Sequence, residues 1–351
     1  MKIFSIVGAR PQFIKLAPLS AALTASHQEY IVHTGQHYDY AMSEKIFEDL
    51  GIRKPDIHLE IGSGTQAAQT GKMMIALEEA MIQQKPDLVI VFGDTNSTLA
   101  GAIAAAKLNI AILHIEAGLR SYNKNMPEEI NRIATDHVSK YLFVPTETAM
   151  NILKTEGLSQ QAYLTGDIMV DTIKNSLEVA LKKSTIISDL KLEDKKYNLV
   201  TLHRNYNVDN PVILDHLLSE LGRLQEKVIF PVHPRTKKML KENSISIPGN
   251  IEMTEPQGYL DFIVLENYSN RIITDSGGIQ KEAYIFRKPC ITLRTETEWV
   301  ETVNEKWNLL INPSDKDIAS KINDFIPPGK QNPVFGSNVT DKMIELIGSF
   351  N

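Results

Sequence analysis

A short glycine-containing segment has the residue types of an anion-binding site. An apolar run that ends at Thr274 is followed by Asp275 and by Ser276-Gly277-Gly278, where a helix should begin. Ser276 could cap this helix, and the glycines would let a phosphate reach backbone N–H groups at its positive end. Glu282 could accept hydrogen bonds from two ribose hydroxyls. The segment predicts half of a nucleotide diphosphate site, although a glycine-rich turn with a surface glutamate explains it equally well when it is taken alone.

Three carboxylates that could transfer protons follow predicted strands: Asp94, Glu116 and Glu128. Carboxylates gathered at one site could act as acid and base, because crowding and burial raise some of their pKa values toward neutrality. Two of them have a structural alternative: Asp94 could cap the helix that starts near Thr95, and Glu128 could pair with Arg132 at i,i+4. Glu116 has no obvious local partner and is the hardest to explain structurally.

Basic residues stand at other strand ends. Arg10 lies in the turn after the first strand, and Lys15 follows on the first helix. Fixed cations there suggest contact with a substrate phosphate, although a solvated lysine is the default interpretation of Lys15. His203 and His233 each follow a later strand, and imidazole could donate to phosphate or shuttle a proton. A lone histidine at a strand end is more often structural, but two of them beside the glycine segment favour a diphosphate site.

Composition and charge limit the classes of function. The chain has 351 residues, of which 42% are hydrophobic and 23% charged, as expected for a globular protein of two domains. The chain has 37 Lys and Arg against 43 Asp and Glu, a net charge of -6. This composition has no excess of positive charge that would indicate binding to nucleic acid or to an anionic membrane. The single cysteine, Cys290, excludes an intrachain disulfide and a cysteine-rich metal site.

Cofactor and targeting signals are absent from the sequence. Neither a Gly-x-Gly-x-x-Gly fingerprint nor a Walker phosphate loop is present, so we expect no nicotinamide cofactor, no ATP and no metal. The apolar part of the run from Lys2 to Val7 is too short for a signal peptide, and no later run approaches transmembrane length. We therefore expect a cytoplasmic protein.

The elements that must position these residues alternate along the chain. Short apolar runs occur at 3–7, 30–33, 88–92, 110–114, 141–144 and 163–164, and again at 198–202, 227–232, 251–253, 271–274 and 290–293. Such runs between amphipathic segments are typical of βα units on parallel sheets. The polar segment 181–196 has no strand pattern, so the domain boundary is expected within it.

The sequence thus predicts an α/β fold with two Rossmann-like domains facing a central cleft. Residues 1–185 would form an N-terminal domain that carries the acid/base residues, and 186–335 a C-terminal domain that binds the nucleotide. A terminal helix is expected from about 338 to 348, within the segment 336–351. It follows a Pro-Pro-Gly sequence at 327–329 that should interrupt regular secondary structure. Ligands of doubly wound sheets sit outside the C-terminal ends of the strands, so the nucleotide and the sugar would occupy opposite sides of the cleft.

Seven ordered motifs carry a resemblance to a known family. They are 8–15 (Gly-Ala-Arg-Pro-Gln-Phe-Ile-Lys), 35–37 (Gly-Gln-His), 93–95 (Gly-Asp-Thr), 114–118 (His-Ile-Glu-Ala-Gly), 127–132 (Pro-Glu-Glu-Ile-Asn-Arg), 203–204 (His-Arg) and 275–278 (Asp-Ser-Gly-Gly). Together they resemble the non-hydrolysing UDP-N-acetylglucosamine 2-epimerases. The resemblance implies the glycosyltransferase-B architecture, a C-terminal helix packed back on the first domain, a homodimer, a UDP-sugar substrate and a place in cell-surface polysaccharide synthesis.

The resemblance also implies a mechanism. UDP-N-acetylglucosamine and UDP-N-acetylmannosamine would be interconverted by anti elimination of UDP to 2-acetamidoglucal and re-addition, without a redox cofactor. Asp94, Glu116 and Glu128 would be the acid/base set, with His203 beside the departing diphosphate. Substrate would be held by Arg10, Lys15, His233 and the 276–278 backbone at the phosphates, by Glu282 at the ribose, by Gln257 and Phe262 at the uracil, and also by Arg132. Which carboxylate removes the proton and which returns it stays open.

Two positions depart from the commonest family pattern. Where many members read His-Arg-Arg-Glu-Asn, residues 203–207 read His-Arg-Asn-Tyr-Asn; where many read Thr-Glu-Arg-Pro-Glu, Trp299 replaces a substrate-facing arginine. Together with Gln-His-Tyr-Asp at 36–39, the Trp form looks like the branch that contains epimerases of UDP-2,3-diacetamido-2,3-dideoxyglucuronate. That nucleotide sugar is the alternative substrate. A glycosyltransferase of the same fold, a hydrolysing epimerase and a non-catalytic nucleotide-sugar sensor are further alternatives.

Overall fold

The computed structural model describes residues 1–36 and 40–350, with the backbone alone for residues 40–43. His37, Tyr38 and Asp39, which belong to two of the motifs quoted above, lie outside the described residues. The chain divides into two compact units. The first unit is Met1–Asn175 together with Pro333–Asn351, and the second unit is Ser176–Asn332.

The first unit contains a seven-stranded parallel sheet of order β3-β2-β1-β4-β5-β6-β7. Its strands are β1 (Lys2–Val7), β2 (Gln28–His33), β3 (Ile57–His58), β4 (Leu88–Phe92), β5 (Ala111–Ile115), β6 (Tyr141–Val144) and β7 (Ala162–Leu164). Its helices are α1 (Arg10–Leu23), α2 (Tyr40–Leu50), α3 (Gln66–Gln84), α4 (Asn96–Lys107), α5 (Pro127–Val138), α6 (Glu147–Thr155), the first part of α7 (Met169–Lys183), and α16 (Val339–Gly348).

Both faces of this sheet are covered, which explains why its central strands are continuous apolar runs. In β4, Leu88, Ile90 and Phe92 join one hydrophobic cluster, while Val89 and Val91 join another with residues of α3 and α4. Successive side chains of a strand point to opposite faces, so every residue of β4 is buried. The strand ends are therefore left as the places where polar residues can reach a ligand.

The second unit repeats the architecture with a six-stranded parallel sheet of order β10-β9-β8-β11-β12-β13. Its strands are β8 (Tyr197–Thr201), β9 (Lys227–Pro231), β10 (Ile251–Thr254), β11 (Arg271–Thr274), β12 (Cys290–Thr292) and β13 (Asn308–Leu310). Its further helices are α8 (Ile186–Asp189), α9 (Asn205–Val208), α10 (Pro211–Leu221), α11 (Pro234–Glu242), α12 (Tyr259–Tyr268), α13 (Gly277–Ile285), α14 (Val300–Asn304) and α15 (Ile318–Asp324).

The end of the chain belongs to the first unit. Helix α16 packs against α1, and its Val339, Met343 and Ile347 are buried in the same cluster as residues of β1. Beyond the helix, the ring of Phe350 stacks on that of Tyr141, with centroids 3.6 Å apart. The chain passes from the first unit to the second between residues 175 and 176 and returns between 332 and 333. The sequence analysis expected the domain boundaries between 185 and 186 and between 335 and 336.

Candidate active site

The polar residues of the first unit gather where the order of its strands reverses. β1 and β4 are neighbours in the sheet, but the chain runs outward from β1 to β2 on one side and from β4 to β5 on the other. Loops that leave adjacent strands at such a point diverge, and the crevice between them is where doubly wound sheets bind ligands. The C-terminal ends of β1, β4 and β5 lead into Arg10, Asp94 and Glu116, so these three residues lie at this edge of the sheet.

Asp94 is held by a buried arginine of α5. Its Oδ2 accepts from Nε of Arg132 at 3.0 Å and lies 2.7 Å from Nη2. Burial lowers the pKa of Arg132, but the charges of Asp94 and Glu129 and their hydrogen bonds raise it overall, so the guanidinium stays charged. Helix α4 is capped by Thr95 instead, and the capping role considered for Asp94 is wrong. Arg132 was predicted to bind substrate, and here it positions a carboxylate.

Glu116 has a partner far away in sequence. Its Oε1 lies 2.6 Å from Nζ of Lys15, and the two side chains are 10% and 8% exposed. Gly93 makes room for this pair, since an added Cβ there would come within 3.2 Å of the Lys15 ammonium and 3.6 Å of the Glu116 carboxylate. Glu116 itself has φ +71°, a left-handed conformation that is strained for a residue with a side chain. The solvated lysine considered for Lys15 is therefore wrong.

Glu128 differs from the other two carboxylates. It is exposed in the first turn of α5, and no hydrogen bond or ion pair joins it to another residue within 1–36 and 40–350. The pairing with Arg132 considered for Glu128 is wrong, because Glu129, three residues before Arg132, makes that contact instead. Its Oε2 lies 2.9 Å from Nη1 of Arg132. Burial raises the pKa of Glu129, but backbone N–H donors of Ser121 and Tyr122, with Arg132, lower it overall. Glu128 is thus left open to solvent.

Two amide side chains that the sequence reasoning did not single out tie these loops together. Gln12 accepts from the N–H groups of Gly8 and Ala9 at 2.8 and 3.1 Å, and it donates to the Phe92 carbonyl at the end of β4 at 3.0 Å. Asn131 donates to the backbone carbonyl of Asp94 at 2.9 Å. Both residues lie within the motifs quoted for the resemblance, and this position was the sequence feature that could have marked them as part of the site.

A buried ionic network lies beneath the same loops. Nδ1 of His114, in β5, is 2.7 Å from Oδ1 of Asp136 in α5, and its Nε2 is 2.7 Å from the carbonyl oxygen of Gly93. Oδ2 of Asp136 accepts from the Gly118 N–H at 3.1 Å and lies 2.7 Å from Nη1 of Arg120. Burial raises the pKa of Asp136, but the hydrogen bonds and charges of His114 and Arg120 outweigh burial and lower it.

In the second unit, a buried aspartate organises the strand ends where β8 and β11 adjoin. Asp275 accepts from the N–H groups of His203 and Arg204, at 3.1 and 3.0 Å, and from the amide of Asn207. Its Oδ1 also lies 3.1 Å from Nδ1 of His203, which orients the ring. Burial lowers the pKa of His203, the charge of Asp275 opposes this, and the charges of Arg204 and His233 add to the lowering.

The glycine segment starts a helix, as predicted, but its residues act differently. Ser276 is the N-cap of α13, yet its hydroxyl accepts no capping hydrogen bond. Gly277 is buried against Glu298, whose carboxylate an added Cβ would overlap, and Glu298 is in turn held by Arg294 at 3.0 Å. Gly278 is exposed with open space around it. The capping role of Ser276 is therefore wrong, and Gly278 is the glycine that leaves the helix N-terminus accessible.

The remaining predicted binding residues are placed as follows. Arg10 is the first residue of α1 and is half-buried. His233 is the exposed N-cap of α11, where its Nδ1 accepts from the Arg235 N–H at 3.2 Å. Gln257 precedes α12 and donates to the Glu255 carbonyl, Phe262 is half-buried in α12, and Glu282 is buried in α13.

Trp299 does not present its ring to solvent. It is 4% exposed, and the ammonium of Lys281 lies over the ring at 4.1 Å from the centroid. A cation over the face of an indole is an attractive arrangement. The residue that differs from the commonest family pattern thus forms part of the packing between α13 and the loop before α14.

The two parallel sheets are those of the glycosyltransferase-B fold, and comparisons with known proteins confirm this fold. The family model described as UDP-N-acetylglucosamine 2-epimerase matches residues 21–347. A crystal structure of Methanocaldococcus jannaschii UDP-GlcNAc 2-epimerase in complex with UDP-GlcNAc and UDP superposes with a TM-score of 0.88 at 40% identity, over 100% of each chain. The chain belongs to the UDP-N-acetylglucosamine 2-epimerase family, which makes it an epimerase.

Two curated relatives differ in the substrates they are named for. A UDP-N-acetylglucosamine 2-epimerase homolog of Methanococcus maripaludis is 48% identical over 99% of each chain. A UDP-2,3-diacetamido-2,3-dideoxy-D-glucuronate 2-epimerase of Pseudomonas aeruginosa is 47% identical, over 89% of this chain and 88% of its own. The relatives therefore support the epimerase family without separating these two sugars.

Within the described part of the chain, no group of three or more His, Cys, Asp and Glu side chains could hold a metal ion. Among these same residues, no helix combines the length and apolar character required to cross a bilayer.

Proposed function

We propose that this protein interconverts UDP-N-acetylglucosamine and UDP-N-acetylmannosamine by inverting C2 of the sugar. The observation that carries the proposal is the pair of carboxylates at neighbouring strand ends, Asp94 with Arg132 and Glu116 with Lys15, at the switch point of the first sheet. Inversion requires that a proton leave one face of C2 and return to the other. Rigidly held carboxylates suit both steps, because each must meet the carbon from a fixed direction.

The departure of UDP from C1 develops negative charge that the second unit could stabilise. The N-terminus of α13, whose first N–H groups are not capped by the Ser276 hydroxyl, would receive a phosphate next to Gly278. His203, with its Nδ1 turned toward Asp275, would direct Nε2 at the diphosphate and would donate to it from the protonated, imidazolium form of the ring. Elimination to 2-acetamidoglucal and re-addition of UDP would complete the inversion, and UDP must stay bound between the two steps.

A second substrate is favoured by a specific observation. The Pseudomonas relative named for UDP-2,3-diacetamido-2,3-dideoxy-D-glucuronate shares 47% identity with this chain, and Trp299 stands where many family members have arginine. The sugar of that nucleotide carries a second acetamido group and a carboxylate. The C2 chemistry would be the same, because both sugars bear an acetamido group at C2.

Deuterium exchange tests the proposal and chooses the sugar. The protein is incubated in deuterated water with each nucleotide sugar, and C2 deuterium and the C2 epimer are followed by NMR. We expect both signals with UDP-N-acetylglucosamine and their loss in Glu116→Gln, while Glu147→Gln, in the first turn of α6, serves as a matched control. Exchange with the diacetamido nucleotide alone would move the assignment to that sugar. Exchange with neither would refute both proposed substrates, and accumulation of free N-acetylmannosamine would indicate hydrolysis.

A further inference from the structure

The buried network of His114, Asp136 and Arg120 connects the loops of both paired carboxylates. From the single ring of His114, one nitrogen reaches the Gly93 carbonyl, which is the peptide oxygen directly before Asp94. The other nitrogen reaches Asp136, which binds the N–H of Gly118, two residues after Glu116. His114 and Asp136 are both fully buried.

The chemistry of the partners defines the hydrogen bonds of His114. A peptide carbonyl and a carboxylate are both hydrogen-bond acceptors, so each nitrogen of His114 faces an acceptor. Arg120, which contacts Asp136, also donates to Glu156 from Nε and Nη2 at 2.8 and 2.6 Å. Buried polar groups that are joined by several hydrogen bonds hold one another in one arrangement.

The turn that carries Glu116 needs such support, because Glu116 has φ +71°. Gly93 and Gly118, with φ +62° and +84°, adopt the left-handed conformation without strain. A left-handed conformation of a residue with a side chain persists when its surroundings fix it. The N–H of Gly93 also donates to the Ile115 carbonyl at 2.9 Å. This backbone hydrogen bond joins the loops of Asp94 and Glu116 directly, in addition to the network.

We propose that His114 and Asp136 are positioning residues that set the distance between the Asp94 and Glu116 carboxylates. This inference rests on the proposed function, since it concerns the groups assigned to proton transfer. Neither residue touches the substrate. His114 fixes the peptide that leads into Asp94, and through Asp136 it fixes the turn that carries Glu116. A change in the ring therefore moves both carboxylates at once.

Two substitutions each preserve one of the two hydrogen bonds of the His114 ring. In His114→Gln the amide nitrogen can reach the position of Nε2 and keep the bond to Gly93, whereas in His114→Asn it can reach the position of Nδ1 and keep the bond to Asp136. His137→Gln is the matched control, because His137 follows Asp136 in α5 but is exposed, bonds to Ile133 of its own helix and comes no closer than 4.0 Å to Glu156 of the network. For each variant, kcat and KM of C2 deuterium exchange are measured, with amide hydrogen exchange of segments 92–98 and 115–120.

We expect both His114 variants to lose about 100-fold in kcat with little change in KM, as a shift of about 1 Å in a catalytic group can produce. His114→Gln should speed amide exchange mainly in 115–120 and His114→Asn mainly in 92–98, while His137→Gln matches the wild type. A fall in thermal stability with unchanged kcat, or failure of both variants to fold, would assign the network to stability and overturn the proposal. If the wild type exchanges neither sugar, the proposed function fails, and the two amide-exchange patterns still decide whether His114 holds these loops.

Discussion

At the scale of single residues, the candidate site consists of charges that are already compensated inside the protein. Glu116 has Lys15, Asp94 has Arg132, and His203 has Asp275. Preformed pairs cost little reorganisation when a ligand arrives, which is what electrostatic stabilisation of a developing charge requires. The residue types and strand ends were predictable from the sequence. The partners were not, because Lys15 and Glu116 are 101 residues apart and meet only when β1 and β5 lie in one sheet.

The pKa of His203 gives a prediction at this scale. Burial lowers it from the ordinary 6.5 and Asp275 opposes the lowering, so Asp275→Asn should lower it further, whereas His233→Gln should raise it by removing a repelling charge. Between the lowered pKa and 6.5 the unfolded chain binds a proton that the folded chain does not, so stability falls as the pH falls through this window. NMR titration of the ring measures the shifts. A higher pKa in Asp275→Asn would contradict the assigned cause.

At the scale of secondary-structure elements, the sequence predicted most of the strands and missed two short edge strands, β3 and β13. The runs 141–144 and 271–274 match β6 and β11 residue for residue. β3 has two residues and β13 has three, and both lie at sheet edges. So few residues have no readable periodicity, and their pairing is decided by the neighbouring strand rather than by their own side chains. Glu128 and Glu129 illustrate the same limit in a helix, because i,i+3 and i,i+4 spacings both permit a pair.

Helix α1 contains Pro18, which has no N–H to give to the carbonyl of Ile14 four residues earlier. The hydroxyl of Thr172, in α7, lies 3.0 Å from that oxygen and 3.1 Å from the carbonyl oxygen of Ile168, so its one proton serves both acceptors. Thr172 thus offers a donor to a carbonyl that the proline deprives of its usual helical N–H partner.

We expect Thr172→Val to lower the free energy of unfolding by about 1 to 3 kcal/mol, the cost of an unsatisfied buried carbonyl. In a Pro18→Ala background the restored N–H replaces the hydroxyl, so the same substitution should cost clearly less. Urea denaturation of the two single variants and the double variant forms the thermodynamic cycle. Equal costs in the two backgrounds would show that Thr172 does not serve the Ile14 carbonyl.

At the scale of the whole molecule, the first unit is built from both ends of the chain. Val339, Met343 and Ile347 of α16 lie in one core with α1 and β1, and the Asp167 N–H donates to the Phe335 carbonyl at 2.9 Å where the chain returns. Gly166 and Gly336 make this approach possible, since an added Cβ at Gly166 would come too close to the Phe335 carbonyl. The residue pattern indicated only the terminal helix, and its packing on the first domain was an expectation from the family resemblance, because that packing depends on tertiary contacts.

Met343→Ala should therefore destabilise the first unit by about 2 to 5 kcal/mol, as expected for a large-to-small change in a core. Amide hydrogen exchange should quicken in 1–175 and 333–351 and stay unchanged in 176–332. Glu345→Ala, on the exposed side of the same helix, is the control. Equal acceleration in both units would mean that α16 does not belong to the first core alone.

The return of the chain also has a consequence for biosynthesis. Domains usually fold as they emerge from the ribosome, with the N-terminal domain first. Here the first unit lacks α16 until residues 339–348 have been made, whereas the second unit is complete at residue 332. The first unit is thus finished only after the second unit, and its core stays partly uncovered while the second unit is synthesised.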